Sequence, residues 1–253
     1  MLRRVRYDGV MRCSRAFDHA GAALVMTSQL GPGVVHGDRL ELHGALDDDA
    51  RLIVTGQAAT RILGGGARPA SSYARWDVGS RARLELRGEP LVASAGGHYE
   101  ATQHVALARG ARVLISDAAR APADSEIRLR TIVEIDGIES LYDAVDVQCA
   151  APAALGTLAL FGLQEHDVTR ATALLDELCA GLRDAQAGVG GCPRGVLVRI
   201  LAGSLWPVQA TLARLRDALA AVPLDRCPDG DESPVIHLSN DVPSSSRYDA
   251  LKS

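Results

Sequence analysis

Ala50-Arg51-Leu52-Ile53-Val54 is the stretch that first indicates the fold, because similar stretches follow it along the chain. Ala82-Arg83-Leu84-Glu85-Leu86 and Ala111-Arg112-Val113-Leu114-Ile115 repeat its pattern at a spacing of roughly 30 residues. Each copy opens with Ala-Arg after a polar turn and continues as an apolar strand. Recurrence on this scale is typical of stacked β layers, as in a solenoid. The alternative interpretation is chance repetition in a sequence rich in alanine, arginine and leucine.

Alternation of apolar and polar residues with a period of two predicts strands in residues 1–150. It occurs at Leu40–His43, at Arg83–Arg87 and at Ile127–Arg130. Turn-forming residues separate these runs, and Asp136-Gly137 lies between two apolar segments, as in a hairpin. The patterns predict a mainly β fold over residues 1–150, with stacked sheets and a β-helix-like body.

The pattern changes after residue 152, where longer apolar periodicities predict helices. We expect a β-α-β-α unit with strands at 156–161 and 195–201, a helix at 169–187, and a second helix after Ser204 with Pro207 in its first turn. The expected apolar faces are Ala173, Leu174, Leu178 and Leu182 on the first helix, and Leu205, Val208, Leu212, Leu215 and Leu219 on the second. Residues 1–226 are interpreted as one domain, β-rich over 1–150 and α/β over 152–222. The tail at 227–253 is rich in Ser, Pro and Asp and is predicted to be disordered.

Composition argues against several classes of protein. The chain is 47% hydrophobic but only 4% aromatic, so aliphatic side chains must build its core. Its net charge of -4 gives no electrostatic basis for binding nucleic acid or an anionic membrane. The only lysine is Lys252, so the glycine run at 64–66 lacks the lysine that a phosphate-binding P-loop needs.

The cysteines indicate a reducing compartment. All five are scattered, without a C-x-x-C pair, at Cys13, Cys149, Cys179, Cys192 and Cys227. This is not the pattern of a disulfide framework or of a structural zinc site. The sequence contains no apolar run of about 18 residues, the length that a membrane-spanning helix requires. We therefore expect a soluble, cytoplasmic protein.

A succession of segments resembles the signature of the UreD (also called UreH) family of urease accessory proteins. Residues 31–40, Gly-Pro-Gly-Val-Val-His-Gly-Asp-Arg-Leu, are similar to its P-P-G-G-hydrophobic-V-G-G-D-x-L motif. Residues 52–61 look like its L-L-T-T-x-x-A-[TS]-K run, with Arg61 in place of the lysine. The segments at 82–86, 112–117, 156–158 and 196–219 follow in the family's order, so the resemblance covers roughly residues 30–222.

The chain also departs from this family pattern. The G-R-x-x-x-G-E motif that should follow Asp117 is shortened to residues 118–126 and lacks both glycines, so that only Glu126 corresponds to it. Leu86 stands at the tryptophan of the A-x-L-E-W strand, and the usual Pro-Arg-aromatic ending is missing. The resemblance is therefore to a divergent member of the family.

The resemblance implies an accessory protein without catalytic activity of its own. Members of the family form a β-helical body that binds a helical UreF-type protein, and this protein in turn recruits a UreG-type GTPase. The assembly docks on apo-urease. A water-filled tunnel through the UreD-type subunit is thought to pass Ni²⁺ to the urease active site, so nickel is in transit and no cofactor is bound tightly.

Four carboxylates match acidic positions of the family by their order along the chain, namely Asp38, Glu85, Asp117 and Asp143. Oxygen ligands hold nickel more loosely than thiolates or clustered imidazoles, so transit favours scattered carboxylates. We expect Asp38 and Asp117 at strand boundaries, where they can face a polar channel. The alternative is that each is a turn cap or a solvated surface charge.

His36 is a weak candidate metal ligand, because it lies two residues from Asp38 and would share a strand face with it. A closed metal site needs three or four ligands, and the sequence shows no such local set, so we expect no tight site.

Two other functions are considered. Asp117, Asp143 and His104 are the residues that a hydrolase could use, but neither G-x-S-x-G nor H-E-x-x-H occurs in the sequence. The second is a β-scaffold that binds another protein partner without a urease, and the shortened segment after Asp117 keeps this alternative open.

Overall fold

The computed structural model describes residues 2–5, 9–66, 68–148, 153–221 and 236–239. Two stacked β-sheets form the body of the described chain, and two helices cover the second sheet. The strands are β1 (Leu2–Val5), β2 (Met11–Cys13), β3 (Phe17–His19), β4 (Ala22–Gln29), β5 (Arg39–Leu46), β6 (Arg51–Gly56), β7 (Thr60–Ile62), β8 (Ala70–Val78), β9 (Arg83–Arg87), β10 (Leu91–Ala93), β11 (His98–Leu107), β12 (Arg112–Arg120), β13 (Glu126–Ile135), β14 (Ile138–Val147), β15 (Ala154–Phe161), β16 (Gln186–Cys192), β17 (Gly195–Ala202) and β18 (Ile236–Ser239). The helices are α1 (Glu165–Ala180) and α2 (Leu205–Ala221).

The chain passes back and forth between the two sheets in parallel coils. The first sheet has the order β1-β18-β5-β8-β11-β13-β14, and the second β16-β17-β15-β12-β9-β6-β4-β2. In the second sheet Arg51 lies opposite Arg83, and Arg83 lies opposite Arg112. Each of the three similar segments is therefore one strand, or rung, of a single stack of coils. The prediction of a mainly β body built of stacked layers is confirmed.

Alanine recurs at the start of each rung because the coils approach closely there. Ala50, Ala82 and Ala111 are fully buried. The amide of Arg83 donates to the Ala50 carbonyl at 2.7 Å, and that of Arg112 donates to the Ala82 carbonyl at 2.9 Å. The aliphatic residues that follow alternate into the space between the sheets, where each stabilises the fold by about 1.5–3 kcal/mol.

The body ends in the predicted hairpin, in which Asp136 and Gly137 join β13 to antiparallel β14 with positive φ angles of 54° and 77°. The chain then enters the second sheet, where β15 pairs antiparallel with both β12 and β17. Both helices lie on the outer face of this sheet. The predicted stripe of α2 is confirmed, with Val208, Leu212, Leu215 and Leu219 buried and Leu205 packed against the same core.

The first helix differs from the prediction in its bounds and in its buried face. It covers Glu165–Ala180, not 169–187, because Gly181 caps its carboxyl end. Its fully buried positions are Asp167, Ala171 and Leu175. Of the predicted face, Leu174 and Leu178 pack against the same core, whereas Ala173 is exposed. The segment after it forms the unpredicted strand β16, so the unit is β-α-β-β-α. Three glycines in β16 hid its strand pattern, and pairing along the whole of β17 supplies the backbone hydrogen bonds that stabilise it.

Most of the tail from residue 227, for which disorder was predicted, lies outside the described residues. Within it Ile236–Ser239 form β18, which pairs with β1 and β5. In the described residues, neither helix combines the length and the apolar character needed to cross a lipid bilayer.

Candidate functional site

A layer that contains several polar side chains crosses the core between the two sheets. In the first sheet, pairing places the following residues side by side: Leu42, Ala74, Gln103, Thr131 and Asp143. In the second sheet, Thr27 lies opposite Gly56, and Asp117, Thr157 and Arg199 are adjacent. These positions lie two residues from members of the buried core, so they share its inward face. The polar layer therefore collects side chains that are far apart in the sequence.

A cavity of about 250 Å³ lies in this layer. Asp117, Gln103 and Thr131 line it together with apolar Trp76 and Leu86. Two glycines at the ends of neighbouring rungs make the space for its carboxylates. A Cβ at Gly56 would collide with the Glu89 carboxylate, and a Cβ at Gly88 would collide with that of Asp117. Both carboxylates thus lie against bare backbone.

A second cavity, of about 410 Å³, adjoins the first towards the surface. It lies between the loop at 31–33 and the segment at 57–61. The two cavities share four lining residues, Ser28, Gln29, Thr60 and Glu89. The two cavities are therefore adjacent, and polar side chains lie at their junction.

Asp117 is the acidic residue whose ionisation the fold perturbs most clearly. Burial between the sheets raises the pKa of its carboxyl from 3.8 to about 6, and the positive charge of Arg199 partly opposes this rise. At neutral pH the carboxylate is still mostly ionised. The cavity thus holds a negative charge with reduced solvation, on a side chain that is itself partly buried.

Arg199 connects the two sheets behind Asp117. Its guanidinium donates to the hydroxyl of Thr157 on the neighbouring strand and to the carboxylate of Asp143 on the opposite sheet. The pair is shielded, with side-chain exposures of 28% for Arg199 and 15% for Asp143. The charge of Asp143 is therefore compensated by an ion pair, whereas the same guanidinium acts on Asp117 as a nearby positive charge.

Two buried donors indicate that the cavity accommodates water. Gln103 Nε2 and Trp76 Nε1 have no hydrogen-bond partner in the described part of the protein, and both residues line the cavity. Buried donors normally find a partner in protein or water, and a cavity of this size with polar groups in its lining has room for several waters. The layer is thus suited to a hydrated polar cargo.

The structure brings together Asp117 and Asp143 among the four predicted carboxylates. We expected Asp117 at a strand boundary, but it lies within β12, opposite Thr157. It reaches the cavity because its strand runs past the shorter β9, whose last residue is Arg87. Asp117 thus faces the cavity between the sheets.

Asp38 and Glu85 lie elsewhere. Asp38 immediately precedes β5, and its carboxylate accepts a hydrogen bond of 2.9 Å from the amide of Val35, the geometry of a turn cap. Glu85 faces the opposite side of the second sheet, where Arg87 Nε donates to it at 2.7 Å and Arg216 on α2 lies 3.9 Å away. Neither side chain lines the two cavities.

His36 lies in an exposed turn rather than on a strand, so the expected shared strand face with Asp38 is wrong. Glycines on both sides determine this turn, with positive φ angles at Gly33 and Gly37. Across the described ranges, no three or more His, Cys, Asp or Glu side chains come together as a metal-binding group.

The acid–base set considered for a hydrolase does not form. His104 lies on the outer face of the first sheet, where its Nε2 is 3.0 Å from Glu134 and its Nδ1 is 3.4 Å from Arg75. Asp117 and Asp143 face inward. Since neighbouring positions on a strand point to opposite faces, it is Gln103 that reaches the cavity.

Sequence reasoning missed Glu89, Gln103, Thr131 and Arg199. One signal was present for Glu89. Gly56 and Gly88 are one coil apart, at the ends of two strands of the repeat, and Gly56 opens the space that Glu89 enters. The other three could be placed only from the pairing of strands distant in sequence.

Comparison with known proteins agrees with the resemblance seen in the sequence. The family model described as UreD urease accessory protein matches residues 1–229. A urease accessory protein UreD of Anaeromyxobacter sp. is 28% identical over 220 residues, covering 79% of this chain and 73% of its own length. One of Saccharopolyspora erythraea is 26% identical, covering 84% of this chain and 79% of its own length. One of Streptomyces griseus is 34% identical over 122 residues, covering 46% of this chain and 47% of its own length. Because the family model matches residues 1–229, this chain belongs to the UreD family of urease accessory proteins.

Proposed function

We propose that this protein is a cytoplasmic, non-enzymatic scaffold that binds apo-urease and a UreF-type helical protein, and through it a UreG-type GTPase. In this role it passes Ni²⁺ along the polar layer between its sheets. The observation that carries the proposal is the cavity into which the Asp117 carboxylate faces, together with the adjoining cavity at the surface.

The chemistry of the layer supports transit rather than storage. Asp117 supplies a negative charge with little solvation, which lowers the potential for a cation. The rest of the lining supplies hydroxyl, amide, thioether and apolar groups, two further carboxylates (Glu41 and Glu89) and two arginines (Arg87 and Arg130). Oxygen ligands of this kind hold nickel less tightly than thiolates or imidazoles. A cation that keeps part of its water shell can therefore enter this layer and leave it again.

The test is replacement of Asp117 by Asn, which keeps the size of the side chain and removes its charge. Exposed Asp124→Asn is the matched control. Each variant is co-expressed with urease subunits and with UreF-type and UreG-type partners under limiting nickel. The complex is isolated by pull-down, and the nickel content of the urease is measured.

We expect Asp117→Asn to form the complex normally and to lower urease nickel by about tenfold, while the control loads as the wild type does. Full nickel content in a normal complex would refute the transit role. Loss of the complex would make Asp117 structural. A wild-type chain that binds other proteins but never urease would favour a β-scaffold for another partner.

A further inference from the structure

Glu89 lies at the junction of the two cavities. It follows β9 and is the acidic residue that lines both the cavity between the sheets and the cavity at the surface. Its side chain passes over the bare backbone of Gly56. A group that moves from the surface cavity to the inner cavity therefore passes this carboxylate.

The carboxylate is held in place from one side. Glu89 Oε1 accepts a hydrogen bond of 2.6 Å from the amide of Ala58, in the segment that lines the surface cavity. Burial raises the pKa of Glu89, and the Ala58 hydrogen bond opposes this rise. Oε1 thus anchors the side chain, and the carboxylate as a whole remains a partly desolvated charge at the junction.

Among the charges near Glu89, that of Arg87 is paired with Glu85, whereas Arg61 lines the surface cavity together with Glu89. Arg87 on the same strand segment turns to the opposite face of the sheet, where its Nε and Nη2 donate to Glu85 at 2.7 and 3.2 Å. Gly88, between Arg87 and Glu89, lies against the Asp117 carboxylate. Along the path inward, Glu89 therefore comes first and Asp117 follows at the next rung.

We propose that Glu89 is the charge-selecting residue at the entrance to the inner cavity, which admits a divalent cation from the surface cavity and passes it towards Asp117. This inference rests on the transit function proposed above and adds a residue and a direction to it. Glu89 does not form a resident metal site in this role. It lowers the electrostatic barrier at the junction for a cation and raises it for an anion.

Glu89→Gln separates this role from a structural one. The amide keeps a carbonyl oxygen that can accept from Ala58, and it keeps the bulk over Gly56, but it removes the charge. Glu89→Ala removes the charge, the hydrogen bond and the bulk together. Glu177→Gln, at an exposed position on α1, is the matched control.

The experiment uses the full chain in complex with its partners and urease, under limiting Ni²⁺. Thermal melting of each variant and pull-down of the complex are measured beside urease nickel. We expect Glu89→Gln to melt and assemble as the wild type does and to lower urease nickel by about tenfold. Glu177→Gln should load normally.

Three outcomes would overturn the inference. Normal loading by Glu89→Gln, with a deficit only in Glu89→Ala, would make Glu89 a support for the segment at 57–61. Loss of the complex in Glu89→Gln would place its role in docking. Normal loading by both Glu89 variants, with a deficit in Asp117→Asn, would leave the transit function intact and remove Glu89 from the path. By contrast, a wild-type chain that loads no nickel would reject the transit function itself.

Discussion

At the scale of single residues, Asp117 shows how the site lowers the stability of the fold. Its pKa is raised to about 6 because the space between the sheets solvates its charge poorly. An acid with a raised pKa in the folded state destabilises the fold wherever it is ionised. The cost is absent well below pH 4, grows between about pH 4 and pH 6, and is complete above that range. A carboxylate that weakens the fold at neutral pH is typical of a residue kept for function.

This gives a prediction for stability. Asp117→Asn should raise the free energy of unfolding at pH 7.5 by about 2 kcal/mol, since the neutral amide has no charge to desolvate. The gain should shrink as the pH falls from 6 to 4, where the wild-type carboxyl becomes protonated. Urea denaturation of both proteins across this range would measure it. A gain that does not depend on pH would mean that packing, rather than ionisation, causes the difference.

At the scale of elements, the Arg199–Asp143 pair links β17 of the second sheet to β14 of the first. Removal of the arginine would leave Asp143 and Asp117 without their compensating charge in a poorly solvated layer. Breaking a buried pair costs about 3–5 kcal/mol, but here partial exposure lowers the expected loss to about 2 kcal/mol.

Arg199→Leu should therefore lower the free energy of unfolding by about 2 kcal/mol, and Arg199→Leu combined with Asp143→Leu should recover part of this loss. Guanidinium denaturation of the single and double variants, completed with Asp143→Leu as a double-mutant cycle, would measure the coupling. Additive effects of the two replacements would show that the pair contributes no coupling between the sheets.

The elements also show how far the sequence could predict the structure. The recurring Ala-Arg segments predicted the rungs, because a coil repeats the same inward positions. The apolar stripe of α2 was predicted because steps of three and four residues fit only one helix face. β16 was missed because its glycines carry no side-chain pattern, and its pairing with β17 is a tertiary contact. The candidate site was predicted only in part: Asp117 and Asp143 reach the polar layer, whereas Glu89 and Arg199 depend on which strands become neighbours.

At the scale of the whole molecule, the described sheets end in strands with one unpaired side. β14 is the last strand of the first sheet, and β16 is that of the second. On β14, Ile138 is 70% exposed and Tyr142 is 58% exposed. On α2, Trp206 is 78% exposed. Unpaired edges and exposed aromatic residues favour association with other chains, and a partner would cover them.

We therefore predict that the isolated chain self-associates and is poorly soluble, and that co-expression with a UreF-type helical partner converts it into a complex of defined mass. Size-exclusion chromatography with light scattering would measure both states. Tyr142→Lys should reduce self-association of the lone chain, because a lysine on an edge strand opposes pairing with a second edge. If the partner covers β14, the same variant should also weaken the complex, whereas Asp124→Asn should change neither. A lone chain that purifies as a stable monomer and never co-elutes with the helical protein would contradict the scaffold role.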